Sequence, residues 1–443
     1  MKTAMLARHP VGNPTRKWRQ DYFIKQIVST GPLPGRMHFL DPMADSTRRK
    51  ARIGVRTVTD AGFNMISTLW ANSDLAMDIV RTAEAEGANV VFQDMMRFGG
   101  MGNRNIYCKE NDYIGAIEDT RRWKCIKGYC LWDEPILPEH MEEVRKMIDY
   151  VDERYPDILP YTVANPDYHP LLKWDDGIYE KYISDFINTM NPAQMHFDYY
   201  PIGKDEFKEE LQLDNSTMWS CLELIRRKAD ARSIPMWFAY QGQRYPWHNV
   251  YYSFKFPMAR AMANAGILHG VKALECYIEF TNGGVIDAAT GGHGTFFDDY
   301  KEYNKELSYL GNTLMALRCL RVIHDDTLLP EHLSMHGLRT PLSESEFIAS
   351  ELPKRISISE HSDKYGNKYL MILNRDYNDS AHISLDLKGR FNVYEVSKAD
   401  GAQYLRYENE YMLSAYLKPG ELMLYRMQRA DEEPFAIEYY LDK

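Results

Sequence analysis

The feature of this chain that most constrains its fold is a regular alternation of short apolar segments with longer amphipathic ones from about residue 60 onwards. Short apolar runs bounded by glycine are typical of buried strands, and the amphipathic stretches between them are typical of crossover helices. After a first strand at either 23–29 or 37–40, strands are predicted at 64–70, 88–95, 126–132, 159–164, 195–200, 235–240 and 271–280. Helices are predicted at 46–61, 73–86, 113–123, 139–155, 178–189, 207–231, 252–269 and 300–321.

Eight strand–helix units in succession predict a (β/α)8 barrel, because parallel strands with right-handed crossovers leave few other arrangements. An open doubly wound sheet is the alternative, but it rarely has eight units and normally has a glycine-rich phosphate turn after an early strand. We find no such turn in the sequence. The chain of 443 residues can hold a barrel and a companion domain. We therefore predict an α/β fold with a TIM barrel over residues 1–325.

The sequence after residue 325 has a different pattern, with short predicted strands that alternate apolar and polar residues. These strands are predicted at 356–359, 368–374, 382–387, 391–396, 412–417 and 421–427. Turn sequences such as Lys-Pro-Gly at 418–420 separate them, which is typical of an antiparallel β-sandwich. Since no Gly/Ser/Pro-rich linker precedes it, we expect the sandwich, over residues 326–443, to pack on the barrel.

The net charge of −10 and the isoelectric point near 5.8 argue against a nucleic-acid partner. No stretch reaches the roughly 18 apolar residues that a membrane span needs. The N-terminal segment is too soon interrupted by polar residues to be a signal peptide. We expect a cytoplasmic protein, or a secreted one from which a leader has been removed.

The chain has six cysteines, whose spacings match no zinc-binding pattern. Most of them lie in apolar strand or helix contexts. We expect buried free thiols, as in a reducing compartment.

Active sites of such barrels form at the carboxyl ends of the strands. In this sequence those ends carry carboxylates, amides and aromatic side chains, which suit a sugar: polar groups bind hydroxyls, and flat rings stack on pyranose faces. The strand-end candidates are Trp70, Asp94, Trp132, Asp133, Glu134, Asn165, Asp198, Tyr200, Gln241, Glu275, Tyr277 and Glu279. His196 is the only strand histidine near this rim, so we expect neither a metal nor a cofactor.

Alternation along the eighth strand places Glu275, Tyr277 and Glu279 in the lumen and Cys276 on the outer face. An acid that is buried without a partner costs several kcal/mol. Glu279, nearest the rim, is therefore a candidate for direct chemistry.

The end of the fourth strand carries the sequence Trp132-Asp133-Glu134-Pro135. Acidic residues and proline are common at the start of a helix, so these residues could simply cap the next one. Glu134, however, is an even number of residues from Trp132 and Cys130, so it shares their parity and should lie on the same face of the strand. This predicts that Glu134 faces the rim.

The stretch Gly-Tyr-Cys-Leu-Trp-Asp-Glu-Pro at 128–135 resembles the strand-four motif of cellulase-like (β/α)8 glycoside hydrolases, which carry their acid/base Glu in Asn-Glu-Pro or Asp-Glu-Pro. Ala-Gly-Phe-Asn at 61–64 is similar to their entry into strand two. The resemblance implies that Glu134 is the acid/base. It fails at the end of strand seven, where retaining members have a nucleophilic Glu and this chain has Gln241 and Gln243. We expect Glu279 as its replacement.

A second resemblance, to substrate-assisted hexosaminidases, rests on the adjacent acids of strand four. In such an enzyme Asp133 would orient an acetamido group and Glu134 would donate the proton. This route needs no protein nucleophile.

The sequence thus predicts a glycoside hydrolase of an oligo- or polysaccharide, with a protonated Glu134 and Glu279 or Asp198 as its ionised partner. Other side chains are expected to bind the sugar. Trp70, Trp247, Tyr200 and Tyr277 would stack on it, and Asp94, Asn165 and Gln241 would hold its hydroxyls. A carbohydrate-binding pseudoenzyme on the same barrel is the alternative, since it would explain the glutamines of strand seven.

Overall fold

A computed structural model gives the structure of the chain. It describes residues 2–3, 9–28, 45–68, 73–94, 97–98, 112–202, 213–243, 254–277, 284–287, 289–328 and 331–432. Three of the predicted site residues, Trp70, Trp247 and Glu279, lie outside these ranges.

A ring of eight parallel strands forms the larger part of the structure. After the two-residue strand β1 (Lys2–Thr3), the ring consists of β2 (Ile24–Val28), β3 (Met65–Ser67), β4 (Asn89–Phe92), β5 (Ile126–Asp133), β6 (Leu159–Val163), β7 (Met195–Tyr199), β8 (Met236–Gln241) and β9 (Ala273–Tyr277). The helices are α1 (Asp45–Asp60), α2 (Ser73–Glu86), α3 (Tyr113–Thr120), α4 (Pro138–Arg154), α5 (Ile178–Asp185), α6 (Met218–Asp230), α7 (Phe256–Leu268) and α8 (Phe297–Ala316).

The strand order is β6-β5-β4-β3-β2-β9-β8-β7. A parallel bridge between Ala164 and Phe197 joins the two outermost strands of this order, β6 and β7. The Ala164 N–H donates to the carbonyl of His196 at 2.8 Å. This contact closes the sheet, so the predicted (β/α)8 barrel is confirmed.

Apolar side chains fill both sides of the barrel wall. One cluster lies inside the lumen, where the rings of Tyr161, His196 and Trp237 pack edge to face. A larger cluster lies between the strands and the surrounding helices. The lumen is therefore a packed core that closes the barrel below the rim.

The structure decides between the two predicted first strands and shows that two helices are shorter than predicted. The first strand is the earlier of the two alternatives, and residues 37–40 lie outside the described ranges. The helix predicted at 207–231 begins only at Met218, because residues 213–217, which include Asp-Asn-Ser, form turns. The helix predicted to reach residue 321 ends at Ala316, because residues from Arg318 onwards pair with a strand of the second sheet.

The second sheet is antiparallel and consists of β1, β10 (Arg318–His324), β11 (Ile356–Ser362), β12 (Lys368–Asn374), β13 (Ala381–Val396), β14 (Gln403–Leu417) and β15 (Leu422–Arg429). A short helix, α9 (Glu331–Met335), lies between β10 and β11 in the chain. Its order is β1-β14-β13-β15-β12-β11-β10. The segments predicted as two strands at 382–387 and 391–396 form the single strand β13, whose register shifts between Asp386 and Phe391. Side chains from β11, β12 and both halves of β13 share one apolar cluster, so the folded sheet encloses its own core as a β-sandwich does.

The predicted boundary between residues 325 and 326 stays a prediction. Both β1 and β10 precede it in the chain, and both pair with strands that follow it.

The five described cysteines are buried free thiols, as the sequence predicted; the sixth, Cys108, lies outside the described ranges. Among the described helices, none combines the length and the apolar content that crossing a membrane requires.

A buried ion pair joins the two parts of the structure. Arg375, which follows β12, is fully buried and binds Asp214, which precedes α6 of the barrel, with an Nη1–Oδ1 distance of 2.6 Å. It also binds Asp325, and its guanidinium lies 5.7 Å from the ring centre of Trp219. The sandwich is therefore packed on the barrel.

Arg375→Met should destabilise the protein by about 3–5 kcal/mol, because it leaves two buried carboxylates without their main partner. The matched control is Arg318→Met, which breaks an exposed pair with Asp230 and should cost at most about 1 kcal/mol. Urea unfolding of both variants measures the difference. An equal loss of unfolding free energy in both variants would show that the buried ion pair of Arg375 does not stabilise the protein more than the exposed one.

Candidate active site

A β-bulge near the end of β5 decides which residues face the lumen. Cys130 pairs with Tyr161 and Trp132 pairs with Thr162, so one extra residue, Leu131, lies between the two pairs. The bulge exchanges the two faces of the strand beyond it. The predicted shared parity of Cys130, Trp132 and Glu134 is therefore wrong.

The bulge gives the two residues before Glu134 opposite directions. Trp132 packs between the strands and the helices, with its ring centre 4.8 Å from that of His140. Asp133 lies on the lumen side. Burial raises the pKa values of Cys130 and Glu275, and the charge of Asp133 adds to this effect.

Glu134 itself has an unusual backbone conformation. Its φ is 56°, in the left-handed region that non-glycine residues rarely adopt, at a cost of about 1–3 kcal/mol. Its N–H donates to the carbonyl of Val163 at 3.1 Å, and its carbonyl accepts a hydrogen bond from Nδ2 of Asn165 at 3.0 Å. Strained residues that are held in this way concentrate at functional sites.

The side chain of Glu134 meets Asp198 of β7. The two carboxyl groups are hydrogen-bonded to each other. Burial, followed by the negative charges of Asp198 and Asp133, raises the pKa of Glu134 well above its usual value. Both effects favour the protonated form of Glu134.

Glu275 of β9 lies deeper in the lumen. Its carboxyl accepts hydrogen bonds from the Tyr161 hydroxyl, at 2.7 Å, and from the side-chain amide of Gln26. Burial raises the pKa of Glu275 to about 8, and the charges of Asp133 and Asp198 act in the same direction. The group is therefore largely protonated at neutral pH.

The predicted alternation along β9, the eighth strand of the barrel, is confirmed for its described residues. Glu275 and Tyr277 lie on the lumen side, whereas Cys276 lies on the outer side near Tyr240 and Tyr300.

Two predicted sugar-binding tyrosines form a stacked pair. The ring centres of Tyr200 and Tyr277 are 4.6 Å apart, with 27° between the ring planes. Burial raises the pKa of Tyr200, and the charges of Asp198 and Glu275 add to this effect. The structure therefore brings this aromatic pair together with the acids.

The predicted amides bind backbone groups. The Gln241 side chain accepts from the N–H of Ile202 at 3.0 Å and donates to the carbonyls of Ile202 and Gln243, which ties the ends of β7 and β8 together. Asn165 binds the carbonyl of Glu134. Asp94 is buried just beyond β4, where its carbonyl accepts from two N–H groups of the next turn.

Sequence reasoning missed three residues that support these acids. Tyr161 alternates inward on β6, and Gln26 does so on β2, so strand parity could have identified both. Tyr182 of α5 had no such signal, because nothing in a helical pattern indicates that its hydroxyl reaches the end of β5. That hydroxyl accepts from the N–H of Asn165 at 2.9 Å and donates to the carbonyl of Pro135 at 3.1 Å.

Glu279, the predicted ionised partner of Glu134, lies outside the described residues, so its role stays a prediction. Within the described ranges, no group of three or more His, Cys, Asp or Glu side chains is arranged to hold a metal ion.

No sequence-family profile and no curated protein matches this chain. Among solved structures it is similar to a catalytic mutant of a GH42 β-galactosidase from G. stearothermophilus, at 8% identity and a TM-score of 0.55, over 95% of this chain and 100% of that one. Two further structures are less similar. An α-amylase from Anoxybacillus has 10% identity and a TM-score of 0.44, over 92% of this chain and 98% of that one. A GH51 arabinofuranosidase from Xanthomonas axonopodis pv. citri has 10% identity and a TM-score of 0.43, over 95% of this chain and 97% of that one. The likeness to the β-galactosidase shows the fold.

The raised pKa of Glu275 predicts a pH-dependent stability. Between its ordinary value of 4.5 and about 8, the folded protein holds a proton that the unfolded chain releases. The stabilisation is therefore fully present below pH 4.5. It is lost as pH rises from 4.5 to about 8, by up to about 1.4 kcal/mol per pH unit. Glu275→Gln mimics the neutral acid and should make this decline shallower.

Urea unfolding at several pH values between these limits measures the effect. Glu351→Gln, which changes an exposed acid, is the control and should keep the wild-type decline. A decline of unchanged slope in Glu275→Gln would show that Glu275 is already ionised in the folded protein.

Proposed function

We propose that this protein is a glycoside hydrolase in which Glu134 is the general acid. The observation that supports this proposal most directly is the hydrogen-bonded pair of Glu134 and Asp198 at the carboxyl ends of β5 and β7. Glycosidic cleavage needs one protonated and one ionised carboxyl group near the scissile bond. A pair that shares one proton has this composition. The two carboxyl groups would have to separate as the sugar enters, because retention needs about 5–5.5 Å between them and inversion about 6.5–9.5 Å.

In the proposed reaction the glycosidic oxygen replaces Asp198 as the acceptor of the Glu134 proton. Protonation of the leaving oxygen lets the bond to the anomeric carbon break. Because burial favours the protonated form of Glu134, the acid is ready without a prior proton uptake. The developing positive charge on the sugar lies near the carboxylates of Asp198 and Asp133, which would stabilise it.

Asp198 is our choice for the ionised partner. Among the described acids it is the one hydrogen-bonded to Glu134, whereas Glu275 is largely protonated and accepts hydrogen bonds from Tyr161 and Gln26. Asp198 would either attack the anomeric carbon or accept a proton from the attacking water. Glu279 remains the other candidate for this role.

The lumen-side position of Asp133 favours a second mechanism on the same site. An acid next to the sugar can orient an acetamido group, whose oxygen then attacks the anomeric carbon. In this scheme Glu134 keeps its role and the substrate is an N-acetylhexosaminide.

For sugar recognition we propose the stacked pair of Tyr200 and Tyr277. Tyrosine rings offer an apolar face to a pyranose and a hydroxyl to its polar edge. A protein that only binds carbohydrate would keep this pair too, so hydrolysis of an aryl glycoside panel, N-acetylhexosaminides included, distinguishes the enzyme from a binding protein.

Glu134→Gln should lower turnover of substrates with poor leaving groups by roughly 10²–10⁴-fold, which is the usual contribution of a general acid. Binding should change little, because glutamine keeps the shape of the side chain. Activated aryl glycosides, which need less protonation, should lose much less. Steady-state kinetics on both substrate types, with Glu351→Gln as the control, measures this contrast, and wild-type turnover of the variant would refute the assignment.

Asp198→Asn should lower the pKa of Glu134, because it removes the carboxylate that favours the protonated form. Carbon-13 NMR of protein labelled at glutamate carboxyls follows the titration, and the missing resonance in Glu134→Gln assigns the signal. A pKa of Glu134 that stays at the wild-type value in Asp198→Asn would show that the two carboxyls are not coupled.

A further inference from the structure

We infer that Tyr182 and Asn165 form a clamp that positions Glu134 for proton transfer. This inference rests on the proposed function, since it assigns the two residues a task in delivering the Glu134 proton. Neither residue is expected to touch the sugar. They would act through the backbone of the turn that carries the acid.

The clamp binds two successive carbonyls of that turn. Nδ2 of Asn165 donates to the carbonyl of Glu134 at 3.0 Å, and the Tyr182 hydroxyl donates to the carbonyl of Pro135 at 3.1 Å. The same hydroxyl accepts from the N–H of Asn165 at 2.9 Å. The two clamp residues are thus bonded to each other as well as to the turn.

The turn needs such support because regular pairing ends just before it. The ladder between β5 and β6 ends at the pair Asp133–Val163. Glu134 then adopts its left-handed conformation, and Pro135 has no N–H to contribute to a ladder. A strained conformation persists only where its surroundings over-determine it.

The clamp itself is fixed in the core. The Tyr182 ring packs against Tyr179 and Phe186, with ring centres 6.2 and 6.1 Å away. The Tyr179 hydroxyl donates to the carbonyl of Asn165 at 3.3 Å. Asn165 also directly follows Ala164, which closes the barrel. The direction of the acid is therefore set next to the bridge that closes the ring.

Loss of the clamp should affect proton transfer more than binding. A displacement of about 1 Å at a catalytic group can cost roughly 10²-fold in rate. The loss should appear in kcat for substrates with poor leaving groups, because only these depend strongly on the acid. Substrates with good leaving groups and the value of KM should change little.

The test is Tyr182→Phe, which removes one hydroxyl and keeps the ring. We expect its kcat for poor leaving groups to fall by roughly 10-fold or more, within the range that misplacement produces. Water should reach the loosened carboxyl, so the pKa of Glu134 should fall toward its ordinary value. Tyr303→Phe is the matched control, since it removes a buried hydroxyl that donates to Asn264 at 2.8 Å, between α8 and α7.

Equal losses for good and poor leaving groups, or equal losses in Tyr182→Phe and Tyr303→Phe, would overturn the clamp. If Tyr182→Phe does not fold, Asn165→Ala removes the other donor and is judged by the same contrast. If the wild-type protein cleaves no glycoside, the proposed function fails separately. The carbon-13 titration of Glu134 then decides about the clamp, which is wrong if Tyr182→Phe leaves that pKa unchanged.

Discussion

The closure of the sheet between β6 and β7 is the contact on which the candidate site depends. In the hydrogen-bonded order these two strands are the outermost members, so an open sheet would separate them by its full width. The bridge from Ala164 to β7 joins them. It makes β5, β6 and β7 neighbours and brings together Glu134, Asn165 and Asp198, which lie at or just beyond their ends. The acid pair is thus a direct consequence of closure.

The second constraint is electrostatic. Four acids, Asp133, Glu134, Asp198 and Glu275, lie close enough to affect each other's protonation, and burial opposes their charges. Ionising all of them would be very unfavourable in a medium of low dielectric constant. The pKa values of Glu134 and Glu275 are raised as a result, which favours the protonated form of both groups. A raised pKa makes the folded protein less stable as pH rises, and a raised pKa would also let Glu134 act as an acid.

The sandwich contributes to the site at a distance. Its Arg375 holds Asp214 in the segment before α6, and in that segment the hydroxyl of Thr217 lies 2.6 Å from that of Tyr199 at the end of β7. The segment that follows the strand of Asp198 is therefore tied to the second domain.

The sequence by itself determined the barrel, most strand positions, the inward direction of Glu275 and Tyr277, and the position of Glu134 just after the fourth barrel strand. These follow from local periodicity and turn residues, which neighbours in the chain decide. The bulge at Leu131, which turns Asp133 toward the lumen, could not be predicted, because it depends on the register with β6. The sequence offered Asp198 beside Glu279 as the partner of Glu134, and the tertiary structure brings Asp198 to Glu134. Only the tertiary structure brought the Tyr182 hydroxyl to Pro135, 47 residues away. Hydrogen bonds between residues so far apart leave no periodic trace in a sequence, since ring closure and side-chain packing alone bring their atoms together.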